Sequence, residues 1–276
     1  MTDLPDLGRS LGSLSAVPAA CIRAALAAGA AMLPIYEAGT SASHKADGSP
    51  VTEADELAER MILEALSRAA PSVPVVAEEA AAAGQVPATD GTFFLVDPLD
   101  GTKEFLNRNG DFTVNIALID HGTPVFGVVH APAMNEIYVG VPGEGAYLAT
   151  TADGVAGAWT RLHVRPAPEQ IAVVASRSHL TQETKDFVAR FAVGSFVSRG
   201  SSLKFCQVAR GEADVYPRLG RTMEWDIAAG DAVLRAAGGT VTTLDTKTMR
   251  YGKRNQANDT DFANPFFVAW GGLEPA

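Results

Sequence analysis

The stretch FFLVDPLDGTKEF, residues 93–105, runs an apolar segment into two aspartates that enclose Pro98 and Leu99. Phe93–Val96 is bounded by Asp90-Gly91 before and Asp-Pro after, the length and edges of a buried strand. Two carboxylates that close repel, and removing them from water raises the cost further. A positive charge between Asp97 and Asp100 would resolve the conflict. Pro98 stiffens the turn, and Gly101 lets backbone approach a ligand. Asp97 would then sit at the carboxyl end of a strand, where open α/β sheets present ligands. If a helix starts after Gly101, the amides of Gly101 and Thr102 face outward as an anion seat. Oxygen donors without nearby Cys or His ligands point to magnesium rather than zinc. The competing explanation, an acidic surface turn, explains the Asp-Pro and Asp-Gly pairs but not the buried run before them.

The surrounding chain reads as an α/β protein whose first part is α+β and whose second part, from about residue 161, alternates strand and helix. Residues 8–38 are rich in Ala and Leu and read as a helical segment bent at Pro18. HKADGSPVTEAD is turn-like as far as Pro50; Thr52 is then the N-cap of a helix through Ala70, broken by Pro71. Val73–Ala77 reads as a strand ending at Glu78-Glu79, and AAAAGQVPATDG as a mobile loop. Strands over Thr113–Ile119, Pro124–His130, Glu136–Val141 and Gly145–Leu148 make an antiparallel block. From about residue 161 the order is strand (Ile171–Ala175), helix (Thr181–Phe191), strand (Gly194–Ser198) and helix (Ser202–Ala209). Another strand, a helix over Trp225–Ala237 and a final strand follow. The 276 residues accommodate two subdomains around a cleft, 1–160 and 161–276, with the boundary at 150–165.

Three further pieces carry carboxylates: VTEAD, PVVAEE and EWDIAAGDA. Asp226 would open the last helix, where the dipole favours a carboxylate; Asp231, five residues on, lies on another face and reads as no ligand. Glu224 reads as a surface acid, and Glu79 as solvated or an outer contact. Thr52 and Asp55 fit a capping box with Asp in place of Glu. The histidines His44, His121, His130, His163 and His179 have no metal-ligand spacing; His44 and His179 could reach substrate, though a solvated or core position fits each better. Cys21 and Cys206 read as reduced core thiols.

In this order and spacing the paired glutamates, Asp-Pro-Leu-Asp-Gly-Thr, and the late Trp-Asp before a small-residue helix resemble the inositol monophosphatase superfamily. The resemblance runs over nearly the whole chain and implies a layered α-β-α-β-α sandwich. It implies two or three Mg2+ ions held by Glu78, Asp97, the backbone carbonyl of Leu99, Asp100 and Asp226. The phosphate would contact the amides of Gly101 and Thr102. Asp55 would contact Thr102 and help activate the attacking water, with Glu78 holding the ion beside that water.

Substrate choice rests on SRGSSLKFCQVARGEADVYPRLGRTMEWD. The inositol-specific branch carries a glutamate eight residues before the late aspartate; this chain has Arg218 there. Arginine donates in a fork to phosphate, and Ser201, Ser202 and Lys204 add donors nearby. GSSLKF, YPRLG and DPLDGTKEF resemble the bacterial bisphosphate nucleotidase (CysQ-type) branch, with Lys45 a phosphate contact. That branch removes the 3′-phosphate of adenosine 3′,5′-bisphosphate, a by-product of sulfate activation, and the sulfated form is a second candidate substrate. Two alternatives stand beside it: an inositol or fructose bisphosphate phosphatase of the same chemistry, and a non-catalytic sensor of metal and nucleotide. The resemblance also implies lithium inhibition.

A net charge of −10 argues against nucleic acid or an anionic membrane as partner. No apolar run reads as a membrane span, and MTDLPDLGRS lacks the regions of a signal peptide. The expectation is a cytoplasmic monomer or homodimer. Peripheral association with the inner membrane is implied by the resemblance alone.

Overall fold

The computed structural model describes residues 5–45, 48–175 and 181–275. After a 3-10 segment at Arg9–Leu14, helix α1 (Val17–Ala38) leads to a small hairpin, β1 (Ser43–His44) and β2 (Pro50–Val51). There follow α2 (Glu53–Ala69), β3 (Val75–Ala77), α3 (Glu78–Ala82), β4 (Thr92–Asp100) and α4 (Thr102–Leu106). The meander is β5 (Thr113–Asp120), β6 (Thr123–Ala131), β7 (Glu136–Val141), β8 (Gly145–Ala152) and β9 (Val155–Leu162). The rest of the chain is β10 (Ile171–Ala175), α5 (Gln182–Val188), β11 (Val193–Ser198), α6 (Leu203–Ala209), β12 (Val215–Arg218), α7 (Glu224–Ala236), β13 (Thr240–Thr243) and β14 (Phe267–Trp270).

Strands β3–β9 form one seven-stranded sheet in chain order, antiparallel except for the β3–β4 pair. A five-stranded sheet has the order β11-β10-β12-β14-β13. Alternation along β4 feeds two cores: Phe94 and Val96 pack with α1 and α2, while Phe93 and Leu95 join α6 and α7. Residues of α5 and the outer face of the second sheet make a third cluster. The layers are therefore α1/α2, sheet, α6/α7, sheet and α5, the α-β-α-β-α order expected. Helix α7 lies directly on the sheet because β6 and β7 offer it glycines: Gly127 pairs with Gly140 across the strands, and both sit under the helix backbone.

Several sequence expectations are corrected. Pro18 starts α1 rather than bending it; in the first turn its missing N–H has no helical partner to lose. Helix α1 is long and apolar enough, by length and composition, to cross a membrane, contrary to the expectation that no segment is. In this fold Cys21, Ile22, Ala25, Ala28 and Met32 bury one face of it against α2 and the sheet. Strand β4 does not stop at Val96 but carries both aspartates, and its register with β5 shifts between Asp97 and Asp100. Glu78 and Glu79 open α3, which claims the first alanines of the expected loop. The end of the chain supplies two strands where one was expected, with β14 inserted between β12 and β13. Both cysteines are free and buried, as expected.

Candidate active site

The bulge in β4 turns its acids inward. Asp97 is 1% exposed, and its Oδ1 accepts the Leu99 N–H at 3.0 Å. Asp100 accepts from the amide of Asn115 at 3.4 Å. Gly101 then takes φ 97°, the left-handed region, and a Cβ there would lie 2.3 Å from the Ser201 hydroxyl. Helix α4 starts at Thr102, so its first amides have no carbonyl partner within the helix.

At the start of α2 a capping box forms, as the sequence indicates: Asp55 Oδ2 accepts from the amide and hydroxyl of Thr52 at 2.8 and 2.7 Å. The other oxygen, Oδ1, accepts from the Thr102 hydroxyl at 3.3 Å. One carboxylate thus caps a helix and reaches the turn after β4, so the two roles weighed for Asp55 are compatible. Burial pushes its pKa up, and the Thr52 bonds pull it back.

Glu78 and Glu79 are placed by α3, whose first amides are held by Glu59 of α2: Glu79 N and Ala80 N donate to it at 2.8 and 2.9 Å. Sequence reasoning missed Glu59, since its partner lies twenty residues on. Lys45 reaches across from the β1–β2 hairpin to Glu78 (2.5 Å) and Glu79 (2.7 Å). Burial works to lower Lys45, but these ion pairs outweigh it and raise it. Glu79 is pushed up to about 7 by burial, in spite of Lys45.

Asp226, in the first turn of α7, accepts the Met223 N–H at 2.8 Å. Glu224 is no surface acid: it is fully buried, accepts the amides of Gly252 and Lys253, and pairs with the Lys253 ammonium. Asp231 is buried on another face, held by Arg235 and Tyr251.

Asp97, buried, and Asp100 and Asp226, half-buried, stand close enough to repel one another. Asp97 is raised well above the ordinary range by burial, then by Glu78, Asp100 and Asp226. Burial likewise raises Asp226, with Asp100 and Glu78 adding to it, and pushes Asp100 up to about 6. Among the described residues none of the three is in an ion pair. Nor are any three His, Cys, Asp or Glu side chains already converged into a set that could hold a metal; Lys45 supplies the positive charge at Glu78 instead. In chemistry the donors fit a hard divalent cation, being all oxygen and short of positive charge.

A hollow of about 120 Å³ adjoins these acids, lined by Asp100, Gly101, Ser201, Lys204, Arg218 and Asp226. Lys204 is buried beside the Tyr216 ring and donates to the Ser201 carbonyl at 2.6 Å. Burial pushes its pKa down to about 8, while Asp100 resists. Arg218 donates to the Arg221 carbonyl at 3.1 Å, and its Nε is buried without a partner. The hydroxyls of Ser201 and Ser202 are already engaged, Ser201 with the carbonyls of Asp100 and Asp111 and Ser202 with that of Asp226. These bonds lock the 200–202 turn onto β4 and α7. On the other side of Asp226 a wider hollow of about 530 Å³ has apolar walls from Val86, Met223, Trp225 and Phe262. His44 is exposed on β1, and His179 lies outside the described residues. Asp111, which accepts the Gly200 amide, was missed in sequence, as were the polar residues Thr113 and Asn115.

Comparison with known proteins bears on the family and the fold. The model of the inositol monophosphatase family matches residues 13–267. The chain is 44% identical over 248 residues to the 3′(2′),5′-bisphosphate nucleotidase CysQ of Escherichia coli K12, covering 87% of this chain and 94% of that protein. The crystal structure of CysQ from Bacteroides thetaiotaomicron superposes with a TM-score of 0.77 at 40% identity, covering 94% of this chain and 98% of that one. An inositol monophosphatase from Anabaena superposes with a TM-score of 0.70 at 26% identity, covering 94% and 92%.

Proposed function

The chain belongs to the inositol monophosphatase family, and we propose that within it this protein is a magnesium-dependent phosphatase that converts adenosine 3′,5′-bisphosphate to AMP and phosphate. The observation that carries this reading is the pair of cations, Lys204 and Arg218, in the hollow beside the acids. Arg218, with an unpartnered Nε, and buried Lys204 stand where a substrate with a second phosphate needs donors. The relatives named as bisphosphate nucleotidases support it.

Glu78, Asp97, the Leu99 carbonyl, Asp100 and Asp226 would hold the Mg2+ ions, which when bound would lower the pKa of water and offset charge on the departing oxygen. The chain's own groups do the rest. The amides of Gly101 and Thr102 seat the phosphate to be cut. Thr102, oriented by Asp55, guides the proton of the attacking water as its oxygen bonds to phosphorus and the bond to the ribose 3′-oxygen breaks. Lys45, now on Glu78, exchanges that partner for the phosphate side of the site. Arg218 and Lys204 hold the 5′-phosphate and so choose the substrate. The sulfated bisphosphate fits the same description, and either substrate would suit a cytoplasmic enzyme of sulfate assimilation.

Phosphate release with Mg2+, comparing adenosine 3′,5′-bisphosphate, inositol 1-phosphate and fructose 1,6-bisphosphate, tests the proposal. A strong preference for the nucleotide is expected. Equal or better turnover of inositol phosphate would keep the metal site but overturn the nucleotidase assignment, and tight nucleotide binding without phosphate release would favour a sensor.

A further inference from the structure

One row of β5 has a polarity that the fold does not explain. Residues Thr113, Asn115, Ala117 and Ile119 alternate along the strand onto the face that meets α7. Ala117 and Ile119 are core residues; Thr113 and Asn115 are equally inaccessible, at 0% exposed, yet polar. The change occurs where the row reaches the site. Asn115 stands opposite Asp97 in the β4–β5 register, and Thr113 opposite Asp100. On its other side Asn115 faces the apolar Val129 of β6, so across the sheet its polar neighbour is on the side of the acids.

The hydrogen bonds are incomplete in a revealing way. The Asn115 amide donates to Asp100 at 3.4 Å, while its Oδ1 has no partner; nor has the Thr113 hydroxyl. Buried unpartnered polar atoms destabilise a fold, and apolar residues of similar shape would avoid the penalty. Two of them facing one acidic cluster indicate a ligand that brings hydrogens. Mg2+ is such a ligand, because it dehydrates reluctantly and keeps several waters, each a donor seeking an acceptor beyond the carboxylates.

We propose that Asn115 and Thr113 are positioning residues of the cation site: the Asn115 amide orients the Asp100 carboxylate, and the free oxygens of both side chains receive hydrogens from the cation's waters. This rests on the metal site proposed above. Neither residue touches the phosphate; they act through Asp100 and through the cation's outer shell.

The test uses Asn115→Leu and Thr113→Val, each removing polarity while keeping the branching of the side chain. Three quantities are read: the melting temperature without metal, the Mg2+ dissociation constant by calorimetry, and kcat as a function of Mg2+. Partners outside the first coordination shell typically contribute about 10–100-fold in metal affinity. The expected result is a metal-free melting temperature equal to or above wild type, Mg2+ binding weaker by about that factor, and kcat largely restored at high Mg2+. A merely structural role predicts the reverse: a lower melting temperature with Mg2+ affinity unchanged. Affinity within about twofold of wild type in the folded Thr113→Val protein overturns the inference even if Asn115→Leu fails to fold. If the wild type itself binds no Mg2+, the metal-site reading falls and takes this one with it; if wild type and variants bind alike, only this one falls.

Discussion

Gly127→Ala perturbs the site without touching it. A Cβ at 127 would lie 2.4 Å from the Ala229 carbonyl oxygen and 2.8 Å from the Ala232 Cβ. The obstacle is helix backbone, so no side chain can rotate out of the way. Restoring ordinary contact requires α7 to lift off β6 by about 1 Å. Overpacking of this kind costs about 1–3 kcal/mol. For a domain of this size that lowers the melting temperature by roughly 2–12 °C. The functional consequence follows from position: Ala229 is three residues beyond Asp226, within one turn, so the lift draws Asp226 away from Asp97 and Asp100. A misplacement of about 1 Å at a catalytic constellation costs on the order of 100-fold in rate. The assay pairs thermal unfolding, with and without Mg2+, with phosphate release. Gly91→Ala is the control, since a Cβ there meets nothing within 4 Å. If Gly127→Ala melts and turns over like Gly91→Ala, α7 is not seated on the glycines and the packing argument is wrong.

Mg2+ binding should release protons and tighten as pH rises, from about pH 5 to about pH 7 on account of Asp100, which burial pushes up to about 6, because the carboxylates, all raised, must ionise to bind it. Calorimetry near pH 6 in two buffers of different ionisation enthalpy reads this directly, and identical heats would contradict it. His130 gives a separate prediction for stability. Burial pushes its pKa down to about 4, against the bond from its ring to the Ala25 carbonyl. Below about pH 6.5 the unfolded chain binds a proton that the folded one refuses, so stability is lost as pH falls until about pH 4. Between about pH 7 and about pH 5 the wild type should lose about 2 kcal/mol more than His130→Gln; parallel denaturation profiles would count against it.

Local chemistry was legible in the sequence, and contacts between distant segments were not. The Asp97–Thr102 turn could be read because its carboxylates, glycine and helix start are consecutive. Thr52 and Asp55 announced their cap for the same reason. Glu224 looked like a surface acid because its partners are the amides of Gly252 and Lys253, about thirty residues away in a loop without pattern. Glu59 sat unremarked on the face of an amphipathic helix, though it holds the turn that presents Glu78. Thr113 and Asn115 did leave a signal, two polar residues at the start of an otherwise apolar strand. Its meaning appears only once the register sets them against Asp100 and Asp97. Helix α1 shows the converse: no run of its sequence stands out as a span, yet the whole helix is long and apolar enough for one, and only packing against α2 and the sheet identifies its buried face.

The central claim is that one phosphate is cut at the acids while the other is held by Arg218 and Lys204. Its most direct test is kcat/KM for adenosine 3′,5′-bisphosphate against adenosine 3′-monophosphate, in wild type and in Arg218→Ala. Hydrogen bonds to a charged group contribute about 1.5–3 kcal/mol, so the wild type should prefer the bisphosphate by about 10- to 150-fold. Most of that preference should vanish in the variant, with turnover of the monophosphate little changed. An equal preference in both proteins, or none in the wild type, would contradict the account.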